Sequence, residues 1–472
     1  MNSDSAADSP GLRRVLGPFS LTMIGVGSTI GAGIFVMTGT VAAQWAGPAI
    51  VYAFIIAGFA CLLAGLCYAE LASMMPLAGS AYSYANAAMG RQVAWIIGWC
   101  LILEYLVAAS TVAVGWSGYA SDAAQRLGFA FPHVVSNAPI VLDKARHFAF
   151  SGALINLPAV AIVLGMTALL IVGVKESTLA NTLMVILKVG VILLVVLVGA
   201  FFVHPGNWEP FVPAHNAETG GFGWSGVLRA SGVIFYAYIG FETISTCAQE
   251  TLRPQRDLAI GILASLFICT ALYVATGLVV TGLAHYTTLN VPDPIMVALD
   301  GGGPGLNWIK PLVSAGAIIG LASTILVTLY GQTRIFYTMS ADNALPPVFA
   351  KVHPKYRTPS RGIWIAGIIC AAIAGLFPLD LLGELVSIGT LLAFVIVCIG
   401  VLVMRKTHPD TPRPFRTPLV PFVPIMGILS CGLLMFGLGL SNWIRLFGWL
   451  ALGMIVYFFY SRHHSRVRGH AG

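Results

Sequence analysis

Apolar runs of about 20 residues, separated by short polar stretches, recur from one end of the chain to the other. A run of that length crosses the hydrocarbon core of a bilayer as an α-helix. Twelve spans are predicted, over residues 19–44, 48–74, 93–119, 154–174, 181–203, 225–250, 258–282, 308–334, 363–379, 384–404, 421–440 and 443–461. The longest connections, 120–153 and 335–362, are polar or mixed, and no segment reads as a separate soluble domain.

Two of these spans are unusual. The first carries Gly25, Gly27, Gly31 and Gly33 in the run GVGSTIGAG. Each glycine weakens a helix by about 1 kcal/mol relative to alanine, so four this close favour a local break. The sixth carries YAYIGFET around Gly240, with Glu242 just beyond. The two odd helices lie five spans apart. An odd separation gives the two halves opposite topology, the signature of inverted repeats whose discontinuous helices meet at a substrate site. The expected fold is an all-α integral membrane protein with a five-plus-five inverted repeat, residues 19–203 and 225–404, and discontinuous helices 1 and 6. Two additional helices follow over 421–461, with short tails at 1–18 and 462–472.

Composition agrees with the spans. Charged residues make up 9% of the 472 residues and hydrophobic ones 57%, where soluble domains run near a quarter charged. The net charge of +7 comes from basic residues in short loops, which topology explains better than a nucleic-acid groove. With both termini cytoplasmic, only Arg126, Lys144, Arg146, Lys310 and Arg445 fall in outside loops, and nearly all the rest lie inside. The first span shows no obvious cleavage site and reads as a retained helix. The eight cysteines all lie in apolar segments without a CxxC pair or a Cys/His cluster, so they read as small buried hydrophobes.

A break at Gly27–Gly33 would expose the amides of Gly31, Ala32 and Gly33 at the start of a half-helix, a site for a carboxylate. Carbonyls freed from the preceding half-helix would hold an ammonium. The competing explanation is helix packing, since Gly27 and Gly31 form a GxxxG. A dinucleotide fingerprint is a poor match, because no βαβ pattern surrounds it. Three ionisable residues fall within spans: Glu104, Lys188 and Glu242. Charges at bilayer depth cost several kcal/mol and are functional candidates. Lys188 could instead snorkel to the interface, and each glutamate could bond loose helix ends. Glu70 and Arg229 lie near span ends and could be interfacial, while Trp95, Trp99, Trp443 and Trp449 read as interface anchors or packing. No ATP-binding loop, HExxH or potassium-filter motif occurs, and the pair His463–His464 reads as solvated.

These motifs together resemble the amino acid–polyamine–organocation superfamily, in particular bacterial members of its cationic amino acid transporter branch. The matching stretches are GVGSTIGAGIFV (25–36), PLAGSAYSYA (76–85), LEYLVAAS (103–110), FYAYIGFETIST (235–246), PQRDLAIGI (254–262), GQTRIFYTMSADNALPPVFAKVHPKYRTP (331–359) and RPFRTPLVP (413–421). The resemblance implies alternating access and amino acid uptake, in many relatives coupled to protons. It implies a substrate site built from Ser28, Gly31, Ala32 and Gly33, with backbone groups of Phe235, Tyr236, Ala237, Tyr238 and Ile239 completing the amine site. It implies that Lys188 stands where sodium-coupled relatives place an ion, and that Glu104 is an acid typical of the branch. Two departures touch the pocket: Glu242 stands where aspartate is common, and Tyr236 where phenylalanine is common.

The expected function is secondary transport of L-amino acids across the plasma (inner) membrane, with proton symport favoured over exchange. Lys188, Glu104 and Glu242 are the proton-coupling candidates. A membrane sensor on the same fold is less favoured, because the tails are short. No cofactor, metal or nucleic acid is expected, and no partner subunit is legible; the expected partners are the amino acid, protons and lipid.

Overall fold

The computed structural model describes residues 16–75, 80–142, 148–172, 178–216, 220–247, 251–356 and 358–462. Arg13, Arg14, Lys144, Arg146, Lys175, His463, His464, most of the two tails and the start of the 76–85 stretch lie outside the described residues.

Helices occupy all twelve predicted positions. The first span is Pro18–Thr29 continued after a break by Gly33–Met37, Thr38–Val41 and Ala42–Ala46. The second is Ile50–Met74, the third Arg91–Arg126, the fourth Leu157–Val172 and the fifth Thr178–Gly199. The sixth begins as Gly223–Ile234, tightens over Phe235–Tyr238 and resumes as Thr243–Thr246. Then follow Pro254–Leu283, Lys310–Ala341, Ser360–Leu376, Leu379–Thr407, Phe422–Gly437 and Leu440–Val456. Many are apolar and long enough to cross a membrane. Several overrun the predicted limits because their polar last turns continue the helix; the third reaches Arg126 rather than 119.

Polar contacts at the helix ends are consistent with spans that alternate in direction. At one end Arg405 meets Glu70, Tyr82 meets Asp342 and Thr358 meets Ile171. At the other Arg126 meets Asp300, the Asn156 amide meets the Gly375 carbonyl, and the His204 amide meets the Gly282 carbonyl. Other elements between the spans were not expected. Ser80–Met89 forms a helix between spans two and three, and Pro294–Gly301 a short helix between spans seven and eight. Within 120–153, Ile140–Leu142 pairs antiparallel with Phe148–Phe150.

The eleventh and twelfth spans flank the bundle. Span twelve is fastened to span three by a stack of indoles. Trp99 donates to the Trp449 carbonyl at 2.8 Å, and Trp449 donates back to the Trp99 carbonyl at 3.0 Å. Trp95 donates to the Gly453 carbonyl. These tryptophans therefore serve packing. Trp224 and Trp308, by contrast, are exposed near the opposite end, where interfacial indoles are favoured.

Glu70 and Arg229, read as interfacial candidates, are tied into the interior. Glu70 is only 1% exposed and pairs with Arg405 and Arg413. Arg229 stacks on Trp45, 3.9 Å from the ring centroid, and pairs with buried Glu384. Glu384 also receives the Asn442 amide at 2.9 Å and lies 3.5 Å from Arg445. Depth along a helix does not tell an interfacial charge from one buried against a neighbouring helix, which is why the pattern alone left both cases open. Burial without partners would cost far more than these pairs permit.

Candidate functional site

The first break falls at Ile30–Gly31. Ile30 turns to extended backbone (ψ 104°), ending the first half-helix, and the second starts within three residues with a wider, π-type winding over Gly33–Met37. Such winding inside a helix leaves backbone groups without regular partners and is common at functional sites. The Phe35 N–H already bonds the Gly31 carbonyl at 3.3 Å, so the amides suited to an anion are those before it, at the start of the half-helix.

The second break follows Phe235–Tyr238. Ile239 is extended (ψ 135°), and Gly240 has φ +122°, a conformation that side-chain-bearing residues rarely adopt. The Glu242 carboxylate folds back to accept the Gly240 N–H, at 3.1 and 2.9 Å from its two oxygens. Glu242 thus caps its own turn.

The two breaks lie against each other. A Cβ at Gly240 would stand 2.6 Å from the Ser28 carbonyl oxygen, and one at Gly33 would fall on the main chain of Ala237. Only glycine allows this backbone-to-backbone approach. Ser28 and Ile239 keep partial exposure, whereas Gly31, Ala32, Gly33 and Phe235–Tyr238 are buried. The Tyr238 hydroxyl donates to the Phe54 carbonyl at 2.8 Å, the Tyr236 hydroxyl reaches the Ala108 carbonyl at 3.5 Å, and Phe235 packs edge-on against Phe394.

Lys188 enters the first break from span five. Its buried ammonium donates to the Gly27 carbonyl at 3.2 Å, the Ile30 carbonyl at 3.3 Å and the Thr324 hydroxyl at 2.8 Å. It does not snorkel. Glu104 lies apart from this network. It is buried, within electrostatic reach of Glu242, and neither carboxylate oxygen has a hydrogen-bond partner. Thr390 lies beside it, but its hydroxyl donates to the Val386 carbonyl.

Two residues the sequence did not flag also belong here. Thr324 on span eight holds Lys188. Tyr273 on span seven donates to the Thr29 carbonyl at 3.0 Å and the Ala237 carbonyl at 2.7 Å, touching both breaks. Neither stands out in an apolar run, because both make their contacts across distant parts of the chain. No group of three or more potential metal ligands occurs among the described residues. The unit therefore offers backbone donors, backbone acceptors and one fixed ammonium, a set suited to binding a dipolar solute without forming or breaking covalent bonds.

The family model described as amino acid permease matches residues 16–460. The chain belongs to the amino acid permease family. It is 44% identical over 457 residues to a methylthioribose transporter of Bacillus subtilis, covering 97% of this chain and 95% of that one. It is 43% identical, with the same coverage, to the branched-chain amino acid permease BcaP of Bacillus subtilis. A vacuolar cationic amino acid transporter 4 of Arabidopsis thaliana is 36% identical over 84% of this chain and 64% of its own. This amino acid permease is a multi-pass membrane transporter and not an enzyme.

Proposed function

We propose that this permease is a secondary transporter that carries neutral L-α-amino acids with apolar side chains by alternating access, in symport with protons. The contact of the two breaks carries the reading. It brings half-helix N–H groups and freed carbonyls into one place, which suits a carboxylate and an ammonium held a few ångströms apart. Ser28, Gly31, Ala32 and Gly33 hold the carboxylate side, and backbone groups of Phe235–Ile239 the amine side.

Neutral cargo is favoured by two facts. Glu242 spends its carboxylate on the Gly240 N–H rather than offering it to a cationic side chain. The relatives at 43–44% identity are named for a branched-chain amino acid and for an uncharged thio-sugar. Residues 19–203 and 225–404 act as two inverted five-span repeats around the site, with both termini cytoplasmic in the plasma membrane.

Lys188 is the coupling group. Its ammonium holds the Gly27 and Ile30 carbonyls; the neutral amine has one hydrogen fewer and no charge, so it holds them less firmly. Protonation thereby biases the state of the first span, and the cycle follows from that difference. Glu104, buried and unbonded, is the second candidate, and Glu242 the third. Uptake of L-valine, L-alanine, L-arginine and methylthioribose into proteoliposomes under an inward proton gradient tests the reading. Accumulation of L-valine that collapses with a protonophore supports it; accumulation indifferent to the gradient removes the coupling. Transport of methylthioribose without any amino acid removes the substrate class.

A further inference from the structure

The Tyr273 hydroxyl has one hydrogen and two carbonyls to give it to. Ala237 O lies 2.7 Å away and Thr29 O 3.0 Å. Thr29 ends the first half-helix of span one, and Ala237 lies in the last turn before the break of span six. Carbonyl oxygens cannot bond one another, so two of them aimed at one point need a donor between them. The fully buried phenol supplies it.

The ring is fixed in place. It packs against Phe54 and Tyr238 with centroids 5.3 Å away in each case, and the Tyr238 hydroxyl is itself bound to the Phe54 carbonyl. Span seven therefore holds the hydrogen at the point where the two breaks converge.

We propose that Tyr273 is a positioning residue that pins the two breaks together in the empty carrier, and that the substrate's α-ammonium takes over one of its two carbonyls on binding. The proposal rests on the transport reading above. An ammonium has three hydrogens and a charge, so it out-competes a shared neutral hydroxyl for a carbonyl. The freed O–H then serves the other carbonyl alone. The loaded carrier is held by its cargo and the empty one by Tyr273. The residue consequently matters most in the step where the empty carrier returns.

Tyr273→Phe removes the hydroxyl and keeps the ring. In proteoliposomes it should lower net L-valine uptake about tenfold, the worth of one hydrogen bond. Counterflow, in which the carrier crosses loaded in both directions, should change less than about threefold, the loaded form having its own donor. In detergent the substrate-free variant should melt below the wild type, and saturating L-valine should restore most of the difference. Tyr238→Phe, which loses a bond to span two rather than to the first break, should lower net uptake and counterflow alike. Equal loss of net uptake and counterflow in Tyr273→Phe, or loss of neither, overturns the pin. So does a melting deficit of the same size with and without L-valine. An unchanged melting temperature of the substrate-free variant overturns it whatever the substrate is, whereas failure of the wild type to move any amino acid overturns the transport reading alone.

Discussion

Arg405 on span ten grips Glu70 on span two with both arms of its guanidinium, Nε at 2.8 Å from Oε1 and Nη2 at 2.9 Å from Oε2. The same carboxylate accepts the Thr417 N–H at 2.7 Å and lies 3.4 Å from Arg413. Arg413 in turn donates to the carbonyls of Met404, His408, Pro409 and Thr411. The segment after span ten is thus wound around one arginine and anchored to one buried acid. Glu70→Gln leaves two guanidiniums without their counter-charge and is expected to cost ~3 kcal/mol. Thermal unfolding in detergent checks this; Arg405→Lys, which keeps charge but loses the fork, should cost less.

Gly31 and Gly33 predict different outcomes although both lie in the first break. A methyl at position 33 meets the main chain of Ala237, which cannot yield without reshaping the second break. A methyl at position 31 meets the Thr324 Cγ2 at 2.9 Å, a side chain that can rotate. Overpacking of this kind costs about 1–3 kcal/mol. Gly33→Ala should therefore abolish measurable L-valine binding, while Gly31→Ala should keep it and change the pH dependence of uptake, because Thr324 holds Lys188. Scintillation-proximity binding and uptake across pH 5–8 separate the two.

Lys188→Ala removes the donor from two freed carbonyls and from Thr324. Proton-driven accumulation should be lost and the pH profile flattened, with counterflow at equal pH partly kept. A variant that still accumulates substrate with the wild-type pH profile transfers the coupling role to Glu104, whose oxygens have no partner.

Asp293, in the connection before Pro294–Gly301, gives a pH prediction outside the spans. Burial, with the nearby Asp122 charge, pushes its carboxyl from 3.8 up to about 6. Arg126 and a hydrogen bond from its own backbone pull the other way, and Asp300 adds a further like charge. Between those two values the native protein holds the proton and the unfolded chain does not, so stability contributed by this group falls as pH rises through the window. Asp293→Asn should match the wild type at the low end of the window and melt higher above pH 6. Melting curves in detergent from pH 4 to 8 check it; an equal difference at every pH removes the assignment.

The spans were legible because their length and apolarity are properties of single segments. The first break was legible because four glycines weaken one helix, and the second because Gly240 and Glu242 interrupt an apolar run. Lys188 was legible as a charge at depth, and the structure aims it at carbonyls of the broken span. Tyr273 and Thr324 were not legible: a hydroxyl in an apolar helix looks the same whether it bonds its own preceding turn or a segment 244 residues away. The helix at Ser80–Met89 was missed because it is short and carries no long apolar run. The burial of Glu70 and Glu384 depends on arginines far along the chain, so no local pattern announces it.

Span ten, Leu379–Thr407, holds Glu384 near one end and Arg405 near the other, each locked into a separate cluster of charges. A beam clamped at both ends cannot tilt as a rod; it can only bow. Nearer its middle the helix lies in ordinary contact with the third span, where a side chain at Gly389 would meet Leu103 at 3.8 Å and the Cys100 carbonyl at 3.9 Å. Were this span to move, the two clamps would favour bowing over a rigid tilt.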